Sequence, residues 1–170
     1  YARFRPYHLI GAIGEFLTAL TAIISLAVST SYYISAEWVI IVNMLLIGSN
    51  GLIATYFFGA FSASRDSLIK VGSLIAGIGL GFNVLISILQ MAGVYVFVLA
   101  LLGALVMIAG VVIACIKFIM LFQRDAFVVV FCVFIFLGLL LSLFWTWASL
   151  ISGAGLGGLL IYFYVHNITY

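Results

Sequence analysis

The chain has 170 residues, of which 68% are hydrophobic and only 6% are charged. In a soluble domain roughly a quarter of the residues are charged, so this composition excludes a soluble globular protein. The net charge of +2 is too small for a nucleic-acid-binding protein. Because the apolar side chains need a solvent other than water, we predict an integral membrane protein in contact with lipid.

The first half of the chain contains two predicted spans. A membrane helix needs about 20 apolar residues, because the hydrocarbon core is about 30 Å thick. Residues 8–34 satisfy this condition with Glu15 as the only interruption, and residues 38–61 form a second span. Both are long enough to cross a bilayer once.

The rest of the chain contains two charge-free intervals that are each too long for one crossing. Residues 71–116 would make a helix of about 69 Å, so we expect a turn near Gln90–Gly93. Residues 126–170 need a second turn near Ser149–Gly153. The predicted spans are therefore residues 68–90, 94–118, 126–148 and 153–168.

These spans predict an all-α polytopic bundle of about six transmembrane helices, arranged in three tight hairpins within a single domain, residues 1–170. The last span is short and begins with a glycine-rich stretch. Five spans plus a re-entrant segment are therefore the alternative.

The basic residues indicate an orientation. In the six-span arrangement all of them fall on the side of the two termini, whereas the opposite loops contain none; they are Arg3, Arg5, Arg65, Lys70, Lys117 and Arg124. By the positive-inside rule both termini are predicted to be cytoplasmic. We expect a prokaryotic plasma membrane rather than an organelle membrane.

The pair Arg65–Asp66 recurs as Arg124–Asp125, and Arg5–Pro6 lies at a similar interval before them. This spacing suggests either a triplicated hairpin or the ordinary position of charges between tight hairpins. Because the segments share little beyond the Arg–Asp pair, we favour the second interpretation.

Glu15 is the first candidate for chemistry. A carboxylate within a membrane span is costly and therefore indicates a functional site or a structural ion pair. His8 lies two helical turns earlier on the same face, and Thr18 follows one turn later. Such a stripe could carry a proton or bind a cation, but we favour the interpretation that Glu15 pairs with a neighbouring helix or with another subunit.

Three asparagines form a second group of intramembrane polar candidates. Asn43 and Asn50 are seven residues apart and share a face of the second span, and Asn83 lies within the third. They could bind a solute or an ion. Asparagines in membrane helices more commonly hold neighbouring helices together by hydrogen bonds.

Small residues predict two helix-packing faces. The first combines Gly72, Ala76, Gly77 and Gly81 on the third span; the second combines Gly153 and Gly157 on the sixth. Without large side chains, helices can approach closely at such positions.

The two histidines, His8 and His166, are weak candidates for haem ligands, because both would lie near the same membrane edge. They could face one haem only if the first and last helices were neighbours. No acidic or cysteine residues cluster with them, so we predict no metal site and no cofactor.

No motif identifies a reaction. The first hypothesis is a non-catalytic membrane subunit that scaffolds a larger assembly, with other membrane subunits or further copies of the chain as partners. The alternative is a small transporter or channel that uses Glu15 and the intramembrane asparagines. A haem- or quinone-binding redox subunit is the third hypothesis.

Overall fold

The computed structural model describes residues 4–29, 36–145 and 148–170, which form helices and turns without a strand. The fold is therefore the predicted all-α helical bundle. The helices are α1 (Arg5–Ser29), α2 (Ala36–Ala63), α3 (Ser67–Met91), α4 (Phe97–Leu121), α5 (Ala126–Ser142) and α6 (Ser149–Val165).

The helices alternate in direction and form three hairpins. We call the end with the start of α1 and the finish of α6 the terminal end, and the opposite end the distal end. The α2–α3 and α4–α5 turns lie at the terminal end, and the α3–α4 turn lies at the distal end, as do the finish of α1, the start of α2, the finish of α5 and the start of α6.

Among the described helices, α1 to α4 are long and apolar enough to cross a membrane. Helices α5 and α6 have 17 residues each, or about 25 Å at 1.5 Å per residue. Helix α5 ends at Ser142, earlier than predicted, because residues 143–144 form a turn. Helix α6 begins at the distal end, and Tyr170 beyond it contacts His8 at the terminal end. It therefore runs as one continuous helix beside α1.

The six helices form a closed ring. Each helix packs against its neighbours in the sequence, and α6 packs against α1 to close the circle. The contact between α4 and α5 is the smallest of the six. The closed order matters because it gives the molecule a central axis toward which every helix presents one face.

Aspartates start two of the helices. The Asp66 carboxylate accepts hydrogen bonds from the amides of Leu68 and Ile69 and forms a 3.2 Å ion pair with Lys117. Asp125 accepts a hydrogen bond from the amide of Phe127 in the same way. Both are helix N-caps. Capping therefore gives the recurrent Arg–Asp pair a local structural role at the start of α3 and of α5.

Glycines bring α3 and α4 into backbone contact. A Cβ atom on Gly110 would lie 2.1 Å from the amide nitrogen of Ala76, and one on Gly72 would lie 2.8 Å from that of Ala114. Gly77 lies instead against the Phe58 ring of α2.

The expectation that Gly81 joins this packing face is wrong. Gly81 lies on the exposed side of α3, and no atom of the described residues lies within 4 Å of the position of a Cβ. Gly79, two residues earlier, makes the close contact, with the backbone of Met107. Two residues of a helix turn by about 200°, so the two glycines occupy opposite faces.

A cluster of rings fills the ring of helices at the terminal end. We call this cluster the aromatic plug; it consists of Phe4, His8, Tyr56, Phe118, Phe163 and Tyr170. A hydrogen bond of 3.0 Å joins His8 Nε2 to the Tyr170 hydroxyl, which also hydrogen-bonds to the Tyr56 hydroxyl. The plug leaves only the other half of the central axis free for a cavity.

Candidate functional site: a central cavity at Glu15

A cavity of about 360 Å³ lies on the axis of the ring and is lined by residues from all six helices. Its volume falls within the range of small-molecule pockets, about 300–1,000 Å³. A space of this size distinguishes the centre of the bundle from a close-packed core, where voids larger than a water molecule are rare.

Helix α1 contributes a polar stripe to the cavity. Glu15, Thr18, Thr21 and Ser25 all line it. Their spacing of three or four residues places them on one face of a helix, and that face points toward the axis. Helix α3 contributes a similar polar stripe, which consists of Asn83, Ser87 and Gln90.

The opposite wall of the cavity is apolar. Met107 and Val111 of α4 line it together with Ile135 and Leu139 of α5. Among the described residues, α4 contributes only these two side chains, and both lack a hydrogen-bonding group that could hold a polar solute. The cavity is therefore amphipathic: α1 and α3 contribute most of its polar groups, whereas α4 and the middle of α5 contribute apolar side chains. Ser142 at the distal end of α5 is polar, and Leu80 and Ile86 of α3 are apolar.

Glu15 lies in the middle of α1, and α6 makes the space for its side chain. A Cβ atom on Gly153 would lie 3.5 Å from Glu15 Oε2, and one on Gly157 would lie 3.3 Å from Glu15 Cβ. The two glycines predicted to pack a helix thus lie directly against the carboxylate-bearing residue. Close approach of α1 and α6 at this point is what buries it.

The burial of Glu15 is not compensated by a partner. The side chain is 7% exposed, and no hydrogen bond or ion pair joins it to any residue in the described part of the chain. It is also the only acidic or basic residue among the described residues that line the cavity. Burying an ionised carboxylate without a partner in an apolar bundle costs free energy. Glu15 can therefore remain buried only if it is protonated or binds a cationic ligand.

Several hydroxyl groups that line the cavity donate hydrogen bonds to their own helices. Thr18 donates to the carbonyl oxygen of Gly14 at 3.1 Å, and Thr21 donates to that of Leu17 at 2.8 Å. Ser142 and Ser152 donate in the same manner to carbonyl oxygens of their own helices. A hydroxyl has one proton and two lone pairs, so these oxygens retain only acceptor capacity for a ligand.

The asparagines divide between the cavity and the helix packing. Asn50 and Asn83 line the cavity. Asn43 does not line it; its side-chain nitrogen donates to the Val39 carbonyl oxygen at 2.9 Å. The Asn43 side-chain oxygen is buried without a hydrogen-bond partner among the described residues.

The cavity extends from the middle of the ring to its distal end. Ser25, Gln90, Ser142 and Ser149 line it within about a turn of the distal ends of their helices. Toward the terminal end the lining stops at residues such as Phe57 and Leu156, beyond which the aromatic plug fills the axis. The polar part of the cavity therefore lies between Glu15 and the distal end.

The two histidines, which were weak candidates for haem ligands, lie in different surroundings. His8 is 1% exposed, with its ring packed among Phe4, Tyr56, Phe163 and Tyr170. His166 is exposed and bonds through Nδ1 to the carbonyl oxygen of Tyr162. Helices α1 and α6 are neighbours, as a shared site would require, but the His8 ring is enclosed by aromatic rings and bonds to Tyr170. The described residues contain no group of three or more metal-ligating side chains.

Several cavity residues were missed at the level of sequence. Thr21 and Ser25 continue the stripe from Glu15 and Thr18, and Ser87 and Gln90 continue that from Asn83. The signal was available as polar residues recurring every three or four positions. Single serines and threonines attract little notice in a membrane span, because their hydroxyls can bond to the helix itself.

No protein-family model, no curated protein and no solved structure matches this chain.

Proposed function

We propose that this protein is a small membrane transporter that binds its solute in the central cavity at Glu15. The observation that carries the proposal is the unpaired, nine-tenths buried carboxylate facing a cavity of about 360 Å³. A structural role for Glu15 would favour a basic or hydrogen-bonding partner on a neighbouring helix. A transport role favours an empty place beside the carboxylate, because the solute must bind and leave.

The cavity and the aromatic plug are consistent with an access route from one side at a time. In the present conformation the polar part of the cavity lies between Glu15 and the distal end, and the plug separates Glu15 from the terminal end. Release on the other side requires the rings around Tyr170 to move. This division into one open half and one closed half is what alternating access demands of a carrier.

The orientation that we propose places the terminal end in the cytoplasm of a prokaryotic cell. It is supported by the described basic residues, which lie at that end or within about a turn of it: Arg5, Arg65, Lys70, Lys117 and Arg124. The cavity would then receive its solute from outside the plasma membrane.

Uptake by proteoliposomes tests the proposal. The purified chain is reconstituted and offered radiolabelled amines, amino acids, sugars and monovalent ions one class at a time. We expect saturable uptake of at least one class of solute. The uptake rate should fall by about 10- to 100-fold in Glu15→Gln, which is the effect expected when a hydrogen bond to a charged group is lost. Glu37→Gln is the matched control, because Glu37 starts α2 at the distal end and does not line the cavity.

Equal uptake by Glu15→Gln and the unaltered protein would contradict the proposal, as would absence of uptake for every class. The first result would remove the role of the carboxylate. The second would remove the carrier activity itself.

A second candidate is the non-catalytic subunit of a larger membrane assembly. It is favoured by Tyr95, Phe97 and Phe144, which are the most exposed large apolar side chains among the described residues. They project near the distal ends of α4 and α5, the two neighbours with the smallest contact in the ring. Another membrane helix could cover them. Co-purification of partners at fixed stoichiometry, together with inactivity of the isolated chain, would favour this candidate.

A further inference from the structure

The side chains that line the cavity also indicate which class of ligand it binds. This inference rests on the part of the proposed function that places a binding site at Glu15, and it does not depend on transport across the membrane. When it is ionised, Glu15 supplies the single negative charge among the described lining residues. An anion would be repelled by this charge, and a neutral solute would leave it unpaired. A monocation compensates the charge without leaving a net charge in the low-dielectric interior.

The hydrogen-bonding groups narrow the choice among cations. Thr18, Thr21 and Ser152 offer lone pairs, since each hydroxyl donates its proton to its own helix. The side-chain amides of Asn50, Asn83 and Gln90 in the same lining carry N–H donors as well as acceptor oxygens. The hydroxyl acceptors of α1 and α6, together with the Glu15 carboxylate, suit a ligand that brings several N–H donors. An ammonium group has three donors and no acceptor, whereas a quaternary ammonium has no donor.

The apolar wall narrows the choice further. An inorganic ion would use the oxygen atoms but leave the space beside Met107, Val111, Ile135 and Leu139 unfilled. A divalent metal would in addition require several ligating side chains. The described residues hold no group of three or more His, Cys, Asp or Glu side chains that could bind a metal ion. A short hydrocarbon or aromatic body fills this space and gains free energy from leaving water.

We infer that the cavity binds a protonated primary amine with a short apolar body, its ammonium group at Glu15 and its body against α4 and α5. The polar and apolar walls of the cavity then match the two parts of one amphipathic molecule. The carboxylate needs no partner within the bundle, because the ligand is its partner.

Three probes that share one apolar body test this inference on the unaltered protein. Calorimetric titration of the full chain in lipid nanodiscs compares 2-phenylethylamine, 2-phenylethanol and the N,N,N-trimethyl derivative of the amine. We expect the primary amine to bind, and the other two to bind at least about tenfold more weakly, because each lacks the charge or the N–H donors. Binding of the alcohol or of the quaternary ammonium as tightly as the amine would overturn the inference, as would tighter binding of sodium.

Variants assign the site. Glu15→Gln should weaken amine binding by about tenfold or more, whereas Glu15→Asp should retain most of it. Thr21→Val, which keeps the shape of the side chain, should weaken binding several-fold. Glu37→Gln should bind as the unaltered protein does. Unchanged amine binding by Glu15→Gln would overturn the assignment of the carboxylate.

The two proposals can fail separately. Amine binding without uptake of any solute would contradict the transport function and leave the ligand class in place. Uptake of sugars or of inorganic ions without amine binding would contradict the ligand class and leave the transport function in place.

Discussion

At the scale of single residues, Glu15 and Tyr170 are buried in different halves of the bundle, Glu15 at the cavity and Tyr170 in the aromatic plug. Glu15 is buried without a partner beside a cavity, whereas the Tyr170 hydroxyl is buried with hydrogen bonds to His8 and Tyr56. Buried polar groups in folded proteins are normally satisfied. The polar groups of the aromatic plug follow this rule, so their contribution to stability explains them. Glu15 does not follow the rule and is therefore the candidate for a functional residue.

The plug leads to a prediction about stability. Tyr170→Phe keeps the ring but removes the hydroxyl that bonds to His8 and Tyr56, so two buried polar groups lose a partner. We expect the free energy of unfolding to fall by about 1–3 kcal/mol. Thermal denaturation in detergent, followed by loss of helical circular dichroism, measures the change.

Tyr95→Phe is the control for Tyr170→Phe, because Tyr95 is 84% exposed and loses nothing buried. A similar effect of both substitutions would mean that the hydrogen bonds of the plug contribute no stability.

At the scale of helices, the termini and the contacts follow from local chemistry. Asp66 caps α3 and pairs with Lys117 of α4, which ties two neighbouring helices together at the terminal end. Burial raises the pKa of Asp66, but the amide hydrogen bonds from Ile69 and Leu68 and the Lys117 ammonium outweigh it and lower the pKa. The stabilisation from this carboxylate is therefore present at neutral pH and is lost as the pH falls through its lowered pKa.

The packing of α3 against α4 leads to a prediction that pairs two glycines. In Gly110→Ala the added Cβ would lie 2.1 Å from the Ala76 backbone nitrogen, so the two helices must separate. We expect a loss of about 1–3 kcal/mol in the free energy of unfolding. The same thermal denaturation in detergent measures it.

Gly81→Ala is the matched control on α3. Its Cβ meets no described atom within 4 Å, and alanine favours a helix more than glycine does, so stability should stay the same or rise. A larger loss for Gly81→Ala than for Gly110→Ala would contradict the packing described for α3 and α4.

At the scale of the whole molecule, the closed ring creates the cavity. Six helices around an axis cannot fill its centre with side chains unless the inward residues are large, as they are in the plug. In the distal half the inward residues include Thr21, Ser87 and Ser152, which are small, so space remains. The aromatic plug in one half of the bundle thus contributes stability, and the cavity in the other half provides the site of the proposed function.

The orientation of the ring leads to a prediction about accessibility. Cysteines introduced at Glu37 and Ser67 lie at opposite ends of the bundle and are both exposed. With the terminal end in the cytoplasm, a membrane-impermeant thiol reagent added to intact cells should label Glu37→Cys and not Ser67→Cys.

The unaltered protein supplies the background for this labelling, since its own Cys115 and Cys132 are buried. Permeabilised cells supply the positive control for Ser67→Cys. Labelling of both sites, or of Ser67→Cys alone, in intact cells would contradict the orientation.

The sequence by itself determined the helical class, the number of helices and their ends to within several residues. Apolar length, charges and capping aspartates such as Asp66 and Asp125 are local properties of the chain, so they can be read without knowledge of the contacts. The two short helices were harder, because the break after Ser142 contains neither a charge nor a proline.

Only the tertiary structure decided which residues meet. In a membrane protein the faces that contact lipid and those that contact other helices are both apolar, so periodicity does not identify the inward face of a helix. The ring order brings Glu15, Asn50, Asn83 and Ser152 to one cavity and leaves Gly81 outside. The same order puts His8 among aromatic rings, where it hydrogen-bonds to Tyr170.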